Sequence, residues 1–233
     1  MDFFSLEFLS ALLTIVFIDL ILAGDNAIVI GMASRNLPKH LQKRAVILGT
    51  VGAVAIRAVA TILVVYLLDI PWLLLAGGIL LLWIAYNLLV SSDDHGDIKA
   101  GSSLGAAVRT IIIADAAMGL DNVIAVAGAA HGNYVLVILG LLISIPIVVW
   151  GSTLFIKLIG RFPWIIYLGS GVLAYTAAKM ITHEPKIAGV FTDNEWLSWS
   201  FKALIIILII TAGLLTNLSR ARRNAIGKSR ETH

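Results

Sequence analysis

The sequence predicts an all-α polytopic membrane protein, a single membrane domain of seven transmembrane helices. These form two inverted three-helix repeats plus a C-terminal seventh helix. Three observations predict it. Of the 233 residues, 59% are hydrophobic and 13% charged, against roughly 25% charged in soluble domains. Seven apolar runs come near the ~20 residues a helix needs to cross a bilayer. A motif with paired aspartates occurs twice, once in each half of the chain.

The runs cover approximately 6–33, 45–68, 71–90, 104–130, 134–159, 163–181 and 201–218. The segment before the first, Met1 to Glu7, lacks the positive start of a cleaved signal peptide. The first run is therefore expected to stay in the mature chain. Asp69, Ile70 and Pro71 form the turn between the second and third runs. Pro71 and Pro163 are expected in the first turn of their helices, where a missing N–H costs nothing. Pro146 lies inside the fifth run and is expected to kink it. No connection is long enough to form a soluble domain.

Basic residues set the orientation. The odd-numbered connections and the tail carry Arg35, Lys39, Lys43, Arg44, Lys99, Arg109, Lys157, Arg161, Arg220, Arg222, Arg223, Lys228 and Arg230; the opposite side carries Lys179, Lys186 and Lys202. Thirteen against three places the first side in the cytoplasm, with the N-terminus outside and the C-terminus inside. The net charge of +3 then reflects topology and not nucleic-acid binding. The basic tail, 219–233, is expected to lie against anionic lipid headgroups.

The repeat is explicit. FIDLILAGDNAIVI (17–30) and IADAAMGLDNVIAV (113–126) both read D-x5-D-N, so Asp19, Asp25 and Asn26 correspond to Asp115, Asp121 and Asn122 at an offset of 96. IPWLLLAGGILLLWIAYNL (70–88) matches FPWIIYLGSGVLAYTAAKM (162–180) at an offset of 92. Repeat one spans about 6–90 and repeat two about 104–181, leaving the last helix (201–218) outside. Three spans per repeat make the halves run in opposite directions, the plan of many secondary transporters, with a site where the halves meet.

A central aspartate costs ~2.5–3.5 kcal/mol on insertion scales, so four buried acids demand a functional reason. Relief comes from protons, a cationic side chain or a bound metal. Arg57 is the one basic residue near mid-span and compensates at most one of the four charges. It is expected to be a gate, a counter-ion to an acid, or a pairing that only stabilises. A divalent cation shared by Asp19, Asp25, Asp115 and Asp121 would relieve most of the repulsion. Proton uptake on metal release, hence metal/proton exchange, follows as a hypothesis because like charges raise each other's pKa.

Asp19 and Asn26 lie two turns apart on one helix face, whereas Asp25 points about a third of a turn away. Gly24 and Gly119 beside the second acids predict an unwound stretch in each helix that frees carbonyls for a cation. The alternative is that they only permit close packing, as expected of Gly77, Gly78, Gly169 and Gly171. Carboxylate and amide oxygens suit magnesium, calcium or manganese. The chain has no cysteine, and His40, His95, His131, His183 and His233 all fall in connections or the tail. A buried zinc, copper or nickel site is therefore not expected. Met118, three residues before Asp121, is either a soft ligand biasing the site towards manganese or an adaptable core side chain. Asp93, Asp94, His95 and Asp97 read as a solvated connector; His131 and Asn133 read as a polar turn, with an exit lining as the alternative. Trp72, Trp164, Trp196 and Trp199 read as interfacial anchors.

The segments FIDLILAGDNAIVIGMASRNLP (17–38) and ADAAMGLDNVIAVAGAA (114–130) resemble the TerC family of integral membrane proteins over about residues 5–220, in particular its compact YjbE-like branch. The resemblance implies manganese export across the bacterial cytoplasmic membrane, with Asp19, Asp25, Asn26, Asp115, Asp121 and Asn122 as the motif residues. It implies neither an enzyme nor a resident cofactor, only transported Mn2+, with Ca2+ or Mg2+ as weaker candidates. Some relatives have glutamate where this chain has Asp19 and Asp115. Export as the direction comes from the resemblance alone.

The leading expectation is thus a secondary exporter of divalent cations whose partners are the bilayer and its cargo. The alternative is a non-catalytic membrane factor that aids metallation or assembly of exported proteins. An intramembrane aspartyl protease is disfavoured by the absence of a Gly-x-Gly-Asp segment.

Overall fold

The computed structural model describes residues 5–63, 67, 70–90, 103–130 and 133–231. Among the described residues the secondary structure is helical, without strands. The helices are α1 (Leu6–Ser34), α2 (Lys39–Ile62), α3 (Leu73–Val90), α4 (Leu104–Ala130), α5 (Tyr134–Arg161), α6 (Ile165–Thr182), the short α7 (Ala188–Thr192) and α8 (Glu195–Glu231). The helices α2, α3, α5, α6 and α8 contain segments long and apolar enough to cross a bilayer. The chain is a polytopic membrane protein, and α1 and α4 carry the acidic motifs.

Local chemistry sets the ends. The Ser5 side chain accepts the Phe8 N–H at 3.1 Å to start α1. The Asn133 side chain accepts the Val135 N–H at 3.0 Å to start α5; both are N-caps. Asn133 is thus a capping turn residue, while His131 lies outside the described residues, as do Asp93, Asp94, His95 and Asp97. Hydroxyls inside the apolar helices bond back one turn, as Thr61 does to the Arg57 carbonyl at 2.8 Å and Ser152 to that of Val148 at 2.6 Å. Such bonds hide a polar group where no water competes.

Three sequence expectations need correction. Pro71 and Pro163 sit in turns two residues before Leu73 and Ile165. Proline fixes the turn rather than the first helical residue, and Trp72 takes a left-handed φ of 66°. The last helix begins at Glu195 instead of near 201, where the Asn194 side chain accepts the Leu197 N–H at 3.3 Å, and α7 lies against it through the Phe191 and Phe201 rings, 5.4 Å apart. That helix also continues through the basic tail to Glu231. Finally, α1 and α4 are continuous α-helices through Gly24 and Gly119, with no unwound stretch. The buried acids described below find side-chain partners on neighbouring helices. Breaking backbone hydrogen bonds in an apolar surround would gain them nothing.

Packing follows a cross-wise plan. α1 packs most extensively on α5, α2 on α4 and α3 on α6, while α1 also lies along α4. The start of α1 (Phe8, Ala11, Ile15) shares an apolar cluster with the end of α4 (Val126, Ala130), so the two run antiparallel. A larger cluster joins Val29 and Met32 to Ala114, Met118, Leu81, Leu173 and Met180. Gly78 shows why the α3–α6 contact needs a hydrogen for a side chain. A Cβ there would sit 2.9 Å from the Ala177 carbonyl oxygen and 2.7 Å from Ile181 Cγ1. At Gly77 and Gly169 a Cβ would meet side-chain atoms, Met180 Cε at 2.8 Å and Met32 Sδ at 2.7 Å, which can shift more readily than a backbone oxygen, whereas Gly171 meets only ordinary contacts. Gly78→Ala is expected to destabilise the protein by about 1–3 kcal/mol, measured as a lower unfolding temperature in detergent.

Candidate functional site

The buried polar constellation is built by three helices. Arg57 projects from α2, and its guanidinium donates through Nη1 to Asp19 Oδ1 on α1 and through Nη2 to Asp115 Oδ1 on α4. Arg57, Asp19 and Asp115 are 4%, 2% and 8% exposed, so bulk water screens none of them. The first acid of each D-x5-D-N motif is therefore joined to its counterpart through one arginine. A single guanidinium reaches both carboxylates because its fork presents donors in two directions. Arg57 compensates only one of the charges, as expected from the sequence, yet its fork contacts two acids at once.

With both carboxylates ionised, two against one guanidinium leave one net negative charge. Several polar atoms on these helices are also unsatisfied. Asp115 Oδ2 and Arg57 Nε are buried without a partner among the described residues, as are Asn26 Oδ1 on α1 and Thr50 Oγ1 on α2. Buried polar atoms are nearly always bonded, and exceptions mark strain, function or a missing ion. Gly119 follows Asp115 by one turn, and a Cβ there would lie 3.7 Å from Arg57 Nε. The guanidinium thus lies against the glycine-bearing face of α4.

Asp25 belongs to the same helix but finds a different partner. It is half-buried, and its Oδ2 accepts the Thr176 hydroxyl of α6 at 2.8 Å. Thr176 was not anticipated, since a lone threonine in an apolar run carries no signal by itself. Asp121 and Asn122 lie in α4, one and a half turns or more beyond Asp115, and their side chains are outside the described residues. Met118 is 3% exposed and packs in the largest apolar cluster, the environment of a core side chain. No group of three His, Cys, Asp or Glu side chains converges among the described residues. The buried polar side chains on these helices carry carboxylate, amide and hydroxyl oxygens, donor types suited to a hard divalent cation.

A further buried acid was missed altogether. Glu184 is 2% exposed and accepts the N–H groups of Trp72 at 3.1 Å, Leu74 at 3.2 Å and Leu75 at 3.4 Å. It fastens the end of α6 to the open N-terminus of α3, where a carboxylate meets the positive end of the helix dipole. In the sequence it reads as one more polar residue of a connection. Glu184→Ala is expected to cost about 2 kcal/mol by leaving those donors unpaired, observed as a fall in unfolding temperature and faster proteolysis near residues 70–75.

Similarity to known proteins agrees with this architecture. A family model described as "Integral membrane protein TerC family" matches residues 4–224. The chain is 47% identical over 208 residues to "Uncharacterized membrane protein YjbE" of Bacillus subtilis (strain 168), covering 89% of this chain and 95% of that one. It is 24% identical over 196 residues to "Uncharacterized membrane protein YkoY" of the same organism, covering 75% of this chain and 60% of that one. No solved structure matches.

Proposed function

The chain belongs to the TerC family of integral membrane proteins, and from that premise we propose that it is a secondary transporter of divalent metal cations. The observation that carries this reading is the buried triad in which Arg57 joins Asp19 of the first motif to Asp115 of the second. Structural pairing alone would favour charge balance. With both acids ionised this triad keeps an excess carboxylate charge and an orphaned carboxylate oxygen, and these support a cation site on the two acids.

In this reading all seven long helices cross the membrane, and residues 6–90 and 104–181 form inverted repeats. The cross-wise packing supports it, because exchanging the halves turns the α1–α5 contact into the α4–α2 contact and leaves α3–α6 and α1–α4 in place. The N-terminus then lies outside and the C-terminus in the cytoplasm of a bacterial cell. Cargo passes along Asp19, Asp25, Asn26, Asp115, Asp121 and Asn122, where α1 and α4 cross. Thr176 adds a hydroxyl beside Asp25. Hard oxygen donors without histidine or cysteine make Mn2+ the leading cargo over zinc, with Ca2+ and Mg2+ as competitors. Export is the direction in which the transporter works.

The experiment is metal flux across proteoliposomes, comparing manganese, calcium, magnesium and zinc with and without a pH gradient. Saturable manganese flux that Asp25→Asn and Asp121→Asn abolish is the expected result. Absence of flux for every metal would sink the transport reading. An assembly factor, by contrast, would keep its activity on exported proteins after the acids are neutralised.

A further inference from the structure

Arg57 is held in a way unusual for a purely structural arginine. A guanidinium carries five N–H donors, and the large majority of buried polar atoms are paired. Here the two acids are the hydrogen-bond partners the structure gives it, and Nε, beside Gly119, has none among the described residues. Among the described residues, releasing Arg57 therefore breaks two ionic contacts and no others. Both contacts use the carboxylates that the cargo needs. A guanidinium and a dication on the same buried carboxylates would repel each other strongly, since little water is present to screen them. Occupation by one disfavours the other.

We propose that Arg57 is an internal stand-in for the cargo: guanidinium and divalent cation take turns on the carboxylates of Asp19 and Asp115. The proposal rests on the transport reading above and adds a consequence to it. A carrier that moves cargo in one direction must return empty, and two bare carboxylates buried in an apolar surround oppose that return. Arg57 neutralises them from within the protein. Net flux accordingly requires Arg57, whereas cargo-for-cargo exchange, in which the acids never stand bare, depends on it far less. An arginine that only stabilised the fold would affect both processes in proportion.

The test uses full-length protein in proteoliposomes with radioactive manganese. Net efflux into manganese-free buffer is compared with exchange against manganese on both sides. In Arg57→Gln the ratio of exchange to net flux is expected to rise by at least about tenfold. Arg57→Lys retains one positive charge at the site; its ratio is expected to fall between the two, and it serves if Arg57→Gln is poorly folded. Parallel loss of net flux and exchange in the variants, or no change in either, would overturn the proposal. Wild-type vesicles that perform neither process would overturn the transport reading with it. Wild-type vesicles that perform both, with variants of unchanged ratio, would remove only the role assigned to Arg57.

Discussion

Asp115→Asn is expected to lower manganese flux by about a hundredfold, equivalent to ~2.7 kcal/mol, while leaving the protein folded. Once Arg57 has given way, Asp19 and Asp115 present the cargo with two carboxylates, and the substitution leaves one. A single buried carboxylate offsets much less of the cost of the water that a dication sheds. Asparagine has nearly the same shape and keeps an oxygen that Arg57 Nη2 can reach, so packing is preserved. Asp19→Asn removes the equivalent charge from the other half and should fall by a similar factor. Flux is measured in proteoliposomes at matched protein content, and folding by elution as a single symmetrical peak in detergent. Flux within a few-fold of wild type for either variant would remove these acids from the path.

The second large effect concerns stability. Arg57→Leu leaves two carboxylates buried without a counter-charge. Breaking a buried ion pair from one side costs about 3–5 kcal/mol, enough to lower the unfolding temperature markedly. The triple variant Asp19→Asn, Arg57→Leu, Asp115→Asn carries no unpaired charge and should recover most of that loss, although it should not transport. Comparing the two separates the penalty of stranded acids from the loss of arginine packing. If the triple variant is as unstable as Arg57→Leu, the guanidinium acts through its contacts with apolar neighbours and not through charge.

Much of this was legible because aspartate is so costly in an apolar run that its recurrence stands out. The D-x5-D-N spacing located α1, α4 and the first acids, and Arg57 stood out as the sole mid-span base. The geometry of its fork was not legible, because pairing across three helices depends on their crossing. The expected unwinding at Gly24 and Gly119 failed for a related reason. Glycine permits a break, yet whether one occurs depends on the partners available, and Arg57 and Thr176 supply them. Glu184 was hidden by composition, since a polar residue near a proline in a connection looks solvated until the open helix end it caps is known. The limits of α8 were misjudged because its polar first turns and basic last turns lie beyond the apolar stretch that marks it.

The central claim is that acids from both halves serve one cation. Counting manganese bound to purified protein, by the loss of its free-ion paramagnetic resonance signal, tests this most directly. The account predicts a single tightly bound ion per chain that disappears in Asp19→Asn and equally in Asp115→Asn, although those residues come from different motifs. Wild-type binding that survives either substitution intact, or two ions of which each substitution removes one, would contradict it.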